Sequence, residues 1–175
     1  MARVGDVLSD DGAVTVRSAT WEDAEAVAKI WIDGWRDAHL GHVPDELVAV
    51  RTEESFGVRA SQRVADTTVA TVNEVVAGFV MVVGDEVEQV YVSKKHRGTS
   101  VATILLTEAE RLVAANGHRK AWLAVVAGNP RARRFYERNG WTDEGSFEYA
   151  ASTASGSVIV PTHRYIKELP GQTSR

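Results

Sequence analysis

Three observations predict a mixed α/β fold. Short β-branched runs recur at Ala13–Arg17, Thr67–Val72, Val75–Val83 and Val87–Val92. Between and after them lie segments whose apolar residues repeat with helical spacing. Ala121–Ala127 is a near-continuous apolar run, of the kind that suits a strand covered on both faces. Taken in chain order the signals read β-α-α-β-β-β-α-β-α-β-β, a mixed sheet of about seven strands with helices on both faces.

Each element has a local reason. Ala13–Arg17 alternates with period two. Thr20 can cap the next helix, with Asp23 at the capping-box position in place of the usual Glu. Val27, Ile30, Trp31, Gly34, Trp35 and Ala38 fall on one face of that helix, and Gly41 ends it. Pro44 suits a first helical position, followed by Asp45 and Glu46 in the first turn, so 44–64 reads as one helical stretch with weak periodicity. Asn73-Glu74 is a hairpin turn between two strands, and Gly84-Asp85 turns into the next. Val101, Ile104, Leu105, Ala109, Leu112 and Val113 make an amphipathic helix stopped by Asn116-Gly117. Asn129-Pro130 starts a last helix with Asn as cap and Pro at its first position, and Asn139-Gly140 stops it. Trp141–Tyr149 and Val158–Leu169 read as two final strands.

Composition narrows the function. A chain of 175 residues, 44% hydrophobic and 25% charged, fits one domain with a sizeable core, expected over 13–169 with flexible ends at 1–12 and 170–175. There is no cysteine, which excludes disulfides, thiolate nucleophiles and cysteine metal sites. With no His-Glu-x-x-His pattern either, and His39 and His42 too isolated to form a site, no metal is expected. A net charge of −4 gives no reason to expect nucleic acid as a partner. No apolar run approaches a membrane span and the N-terminus does not read as a signal peptide, so a cytoplasmic enzyme or binding domain is the expectation.

The segment carrying most chemistry is Val90-Tyr91-Val92-Ser93-Lys94-Lys95-His96-Arg97-Gly98-Thr99-Ser100-Val101-Ala102. A strand, a short basic loop with Gly and a helix start turn backbone N–H groups and a helix dipole toward one point, which suits phosphate. The amides from Arg97 to Thr103 and the Arg97 guanidinium would neutralise a pyrophosphate. The alternative is a solvated basic loop. A P-loop is excluded by the missing Gly-Lys-Ser/Thr ending, and no Gly-x-Gly-x-x-Gly occurs.

With this loop, three segments together resemble the GNAT-family N-acetyltransferases. Arg97-Gly98-Thr99-Ser100-Val101-Ala102 is similar to the family's acyl-CoA pattern Arg/Gln-x-x-Gly-x-Gly/Ala, with Ser100 where Gly is usual. Leu105-Leu106 sits where the family's helix is aliphatic, and Asn129–Trp141 is similar to its Asn-x-x-Ala-x-x-Phe-Tyr-Glu-x-x-Gly-Phe segment. The resemblance spans roughly Ala13 to Leu169. It implies a mostly antiparallel sheet, splayed between the fourth and fifth strands, and acetyl-CoA as cosubstrate. The chemistry it implies is direct transfer of an acetyl group to a primary amine of a small molecule or peptide. A degenerate acyl-CoA-binding or regulatory domain, and a protein N-terminal acetyltransferase, are the alternatives.

By the same resemblance, backbone groups of Val90, Tyr91 and Val92 pair with the pantetheine arm, and the Val90 amide polarises the thioester carbonyl. Residues 97–103 (Gly98, Thr99, Ser100, Val101, Ala102 and Thr103 with Arg97) hold the phosphates. Asn129 contacts the pantetheine, with a plain helix cap as the alternative or as a second role; Arg131, Arg133, Arg134 and Arg138 form a solvated helix face near the cofactor, from which one, Arg133, could touch the phosphates. Ser100 has two outcomes: strain if its φ is positive, or a hydroxyl donated to phosphate if φ is negative. Tyr136 protonates or hydrogen-bonds the departing sulfur. Glu86 and Glu88, expected to alternate onto the same face as Val90 and Val92, are the candidate bases beside bulk water. The corresponding position in the next strand is Ala124, which supplies no base. Trp31 and Trp35 are candidate acceptor contacts, with core packing as the alternative. Pairing of late strands between two copies would make a homodimer.

Overall fold

The computed structural model describes residues 7–9 and 12–171. The strands are β1 (Val7–Ser9), β2 (Gly12–Ser18), β3 (Thr67–Val72), β4 (Val75–Val83), β5 (Glu86–Val92), β6 (Lys120–Val126), β7 (Thr142–Thr153) and β8 (Gly156–Glu168). The helices are α1 (Ala24–His39), α2 (Asp45–Val50), α3 (Glu53–Gln62), α4 (Val101–Ala115) and α5 (Pro130–Arg138). All strands join one 8-stranded sheet in the order β1-β2-β3-β4-β5-β6-β8-β7. Only β5 and β6 run parallel; every other neighbouring pair is antiparallel.

The mixed, mostly antiparallel sheet is the architecture the sequence predicts, with one strand more. The flexible ends expected at 1–12 and 170–175 fall largely outside the described residues, yet Val7–Ser9 pairs with β2, Leu8 opposite Ala13. The single helical stretch expected over 44–64 is broken into α2 and α3. Arg51 leaves the helical region at φ −89° and ψ 63°, and Thr52 starts a new cap by accepting from the Ser55 amide at 3.2 Å.

Helix starts and turns follow their sequence signals. Thr20 N donates to the Asp23 carboxylate at 2.8 Å, while Arg17 grips both Asp23 oxygens at 2.8 and 3.0 Å, anchoring the entry to α1. Asn129 Oδ1 accepts from the Ala132 amide at 3.1 Å, and Pro130 opens α5. Asn73 and Glu74 take φ of 49° and 65°, the left-handed pair a two-residue hairpin turn needs.

Period-two alternation on β4 explains why that strand is apolar throughout. Val80 and Val82 join a core with Val101, Leu105, Leu106 and Ala109 of α4. Phe79 and Met81 point the other way, into a core with Ile30, Trp31 and Trp35 of α1 and Phe56 of α3. Each face is covered by helices, so neither set of side chains meets water. Gly34 serves this packing: a Cβ there would collide with the Tyr91 ring, so glycine lets β5 lie close beneath α1. No described helix is long and apolar enough to cross a membrane.

Candidate active site

β5 and β6 begin side by side and then part. Their ladder consists of Glu86 opposite Trp122, supported by the Trp122 amide bonding Asp85 O at 3.1 Å. Beyond that point β6 pairs with β8 from Lys120 to Val126, and β5 pairs with β4 through Val92. The edge of β5 that faces β6 therefore runs past Val90 and Tyr91 without ladder partners. This is the splay expected between the fourth and fifth predicted strands. A cavity of about 900 Å³ passes through it. Glu86–Tyr91 and Leu123–Val126 form its walls, Asn129, Ala132 and Tyr136 one end, and α1, α2, α3 and the β7–β8 hairpin the other.

A bulge re-aims the first half of β5. Met81 pairs with Gln89 but Val82 pairs with Val87, leaving Glu88 as an extra residue. One inserted residue reverses which face the preceding side chains take. Val87, Val90 and Val92 pack into the core beneath α4. Glu86 and Glu88 point to the opposite face, where Glu86 accepts from Tyr149 Oη at 2.7 Å and Glu88 receives Arg63 at 2.8 and 2.9 Å. The shared face expected for Glu86, Glu88, Val90 and Val92 is thus corrected, because simple alternation assumes an unbroken ladder.

The two carboxylates differ in state. Glu88 is held by a bidentate guanidinium, which occupies both its oxygens. Glu86 is half-buried, and desolvation raises its pKa above the ordinary value, partly offset by the hydrogen bond from Tyr149. Ala124 lines the wall across from them, so β6 adds no acid there.

On the α4–α5 side, Tyr136 is 9% exposed, with Phe135, Trp141 and Tyr165 around its ring at 5.3, 6.1 and 6.1 Å. Burial pushes its phenol pKa up, so it stays a protonated donor at working pH. Asn129 spends its oxygen on the cap of α5, and its NH2 group makes no hydrogen bond among the described residues. Arg133 does not reach the cavity. Its guanidinium donates to Tyr165 Oη and to Asp143, both at 3.1 Å, bridging α5 and the β7–β8 pair.

In the loop from Ser93 to Val101, Thr99 N donates to His96 O at 3.3 Å and Val101 N to Thr99 Oγ1 at 3.4 Å, so two of the amides expected to meet phosphate are already bonded within the loop. Gly98 takes the positive φ, 77°. Ser100 sits at φ −72° and ψ −8°, so the strain outcome does not arise. Its Oγ is buried and has no hydrogen-bond partner. A buried hydroxyl is seldom left unpaired. Beside it, the first intrahelical bond of α4 is Ile104 N to Ser100 O at 3.0 Å, which leaves the first-turn amides of Ala102 and Thr103 available. Arg97 is drawn aside, donating to Asp37 of α1 at 2.8 Å.

The two tryptophans separate. Trp35 lines the cavity, stacked on His39 at 5.0 Å. His39 is pushed down to about 4 by burial and is neutral there. Trp31 is fully buried between Phe56 and Phe79, at 5.5 and 5.7 Å, and is core rather than an acceptor contact. His42 packs against Gly128, where any side chain would collide with its ring. Sequence reasoning missed Arg51, Arg59, Arg63 and Tyr149, all of which line the cavity. The arginines lie in the stretch with weak periodicity, where nothing marks them as inward-facing.

A mixed sheet whose parallel central pair parts into a fork around a cavity suits an extended ligand laid along an unpaired strand edge. The acetyltransferase (GNAT) family matches residues 24–141, and the chain belongs to that family. Among solved structures it is similar to a GCN5-related N-acetyltransferase from Rhodopseudomonas palustris, at 22% identity and TM-score 0.68 over 94% of this chain and 100% of that one. It is also similar to the yncA protein of Salmonella typhimurium, solved with its cofactor acetyl-CoA, at 17% identity and TM-score 0.65 over 93% and 97% of the two chains. A third is the PaiA N-acetyltransferase of Thermoplasma acidophilum in complex with coenzyme A, at 18% identity and TM-score 0.61 over 89% and 98%. No curated protein matches the sequence significantly.

Proposed function

We propose that this acetyltransferase moves the acetyl group of acetyl-CoA directly to the primary amine of a small acceptor, with both substrates bound together. The observation that carries this reading is the cavity through the β5–β6 fork. It joins Tyr136 and Asn129 on one face of the sheet to Glu86 and Trp35 on the other. Acetyl-CoA would enter from the α4–α5 side, its phosphates on the Ser100 hydroxyl and the first-turn amides of α4. The pantetheine arm would lie along the unpaired edge of β5.

The chemistry follows from the placement. The neutral amine attacks the thioester carbon while the Val90 amide faces the charge developing on the carbonyl oxygen. The C–N bond forms as the C–S bond breaks. Tyr136 supplies a hydrogen bond or its proton to the leaving sulfur, and the proton lost by the amine passes to Glu86, directly or through water. Glu86 is assigned over Glu88 because Arg63 holds Glu88 as an ion pair. No enzyme nucleophile is needed, and no cysteine is present to act as one.

Tyr136→Phe tests the reading. It removes the donor and keeps the ring that packs on Trp141. The expected result is acetyl-CoA affinity within a few-fold of wild type and turnover lower by about 100-fold, read by thiol release. Undiminished turnover in the variant would remove Tyr136 from the mechanism. Binding without turnover in the wild type would point to a regulatory acyl-CoA-binding domain.

A further inference from the structure

The acceptor end of the cavity holds positive charge that the protein itself does not neutralise. Of its three arginines, Arg63 is paired with Glu88 and Asp66. Arg51 and Arg59 meet no carboxylate among the described residues. Arg51 is 7% exposed; one of its nitrogens donates to Ser152 O at 2.7 Å, and its Nε is buried without a partner. Arg59 lies with its guanidinium carbon 4.2 Å from the Trp31 ring centre and 5.5 Å from that of Phe56, and its Nη1 is buried without a partner. Burial pushes Arg59 down to about 10, so it remains charged at neutral pH. Arg59 is opposed by the charges of Arg51 and Arg63 and favoured by the more distant carboxylate of Glu88, which Arg63 already holds.

Burying one unpaired cation is costly, and two of like sign within reach of each other cost more. The aromatic rings beneath Arg59 offset only part of that cost. Arg51 and Arg59 both line the cavity, so the guanidinium edges they turn to it, rather than the buried Nε and Nη1, are the donors that an anion arriving with the ligand would match. Glu86, accepting a hydrogen bond from the neutral Tyr149 phenol, is the carboxylate to which the proposed transfer directs the amine. Arg51 and Arg59 lie toward α2 and α3, where Glu54 also lines the cavity, and Glu86 is the carboxylate at the start of β5 that no cation holds among the described residues, Glu88 being paired with Arg63. The two arginines lie on the face of the sheet away from α4, so the phosphates of acetyl-CoA do not account for them.

We infer that the acceptor is an amine that also carries a carboxylate, an amino-acid-like zwitterion, with the carboxylate held by Arg51 and Arg59 and the amine directed to Glu86. This rests on the acetyl-transfer reading above and names its substrate class. It disfavours simple cationic amines, which would place no charge against the arginines.

The test compares matched acceptors on the wild-type protein at saturating acetyl-CoA. A panel of L-amino acids is run beside their carboxamides and decarboxylated amines, with thiol release as the readout. The expected result is at least one amino acid whose kcat/KM exceeds that of its carboxamide by about 30-fold or more, as loss of charge-assisted bonds implies. Arg59→Gln is expected to erase this preference through KM, and Arg59→Lys to recover part of it. Thermal unfolding and acetyl-CoA affinity check that each variant folds. Carboxamides or plain amines accepted as well as the acids would overturn the inference. A second arm needs no turnover: thermal shift with N-acetyl-amino acids against N-acetyl-amino-acid amides. If nothing is acetylated but the free acids alone stabilise the protein, the transfer reading fails and the carboxylate site stands. If acids and amides behave alike, the carboxylate site fails.

Discussion

Glu86 and Glu88 show how much a side chain's neighbours decide. Both are acids of β5 aimed at one chamber, but one faces a phenol and the other a guanidinium. Glu86 is the group whose proton is held more tightly than an ordinary carboxyl's. A base works only when deprotonated, so kcat/KM should fall as pH drops through this raised pKa, with the limb above the ordinary range near 4.3. Glu86→Gln should remove that limb and cost about 100-fold in rate. Tyr149→Phe removes the hydrogen bond that favours the charged form, so the limb should move to higher pH. A pH profile of kcat/KM for the three proteins checks both; an unchanged limb in Glu86→Gln would assign the base elsewhere. The residue types were legible in the sequence, and so was the presence of Ala124, not an acid, at the corresponding position of the next strand. Their facing was not, because the bulge at Glu88 leaves no mark on the alternation of apolar and polar residues.

Among the elements, α4 ties the proposed cofactor side of the site to the sheet. Leu105 is fully buried beneath it, in the core that also holds Val80 and Val82. Leu105→Ala should cost about 2–5 kcal/mol in denaturant unfolding, since neighbours on both the helix and the sheet limit collapse into the space. A cost under 1 kcal/mol would mean that α4 can settle onto the sheet and is less rigidly placed than the proposed phosphate site requires. The elements that sequence revealed well are those with chemical punctuation: the Asn73-Glu74 turn, the Asn129-Pro130 start, the Asn116-Gly117 stop. Those it revealed poorly lack punctuation. Val7–Ser9 is too short to show a period, and Arg51-Thr52 interrupts a helical pattern with no Gly or Pro.

Across the whole molecule, two apolar cores on opposite faces of one sheet leave the β5–β6 fork as the passage between them. The proposed cofactor half of the site rests on short motifs, because loop-to-helix turns and helix caps are local in sequence. The acceptor half could not. Arg51, Arg59, Tyr91 and Tyr149 come from separate elements and meet only once the sheet is assembled, so no spacing announces them. The central claim is that acetyl-CoA binds in the fork. Calorimetric titration of acetyl-CoA into the wild-type protein, without acceptor, tests it most directly. Saturable binding at one site per chain is the predicted result; no heat of binding and no competing coenzyme A at millimolar concentration (about the upper end of ordinary KM values) would contradict it.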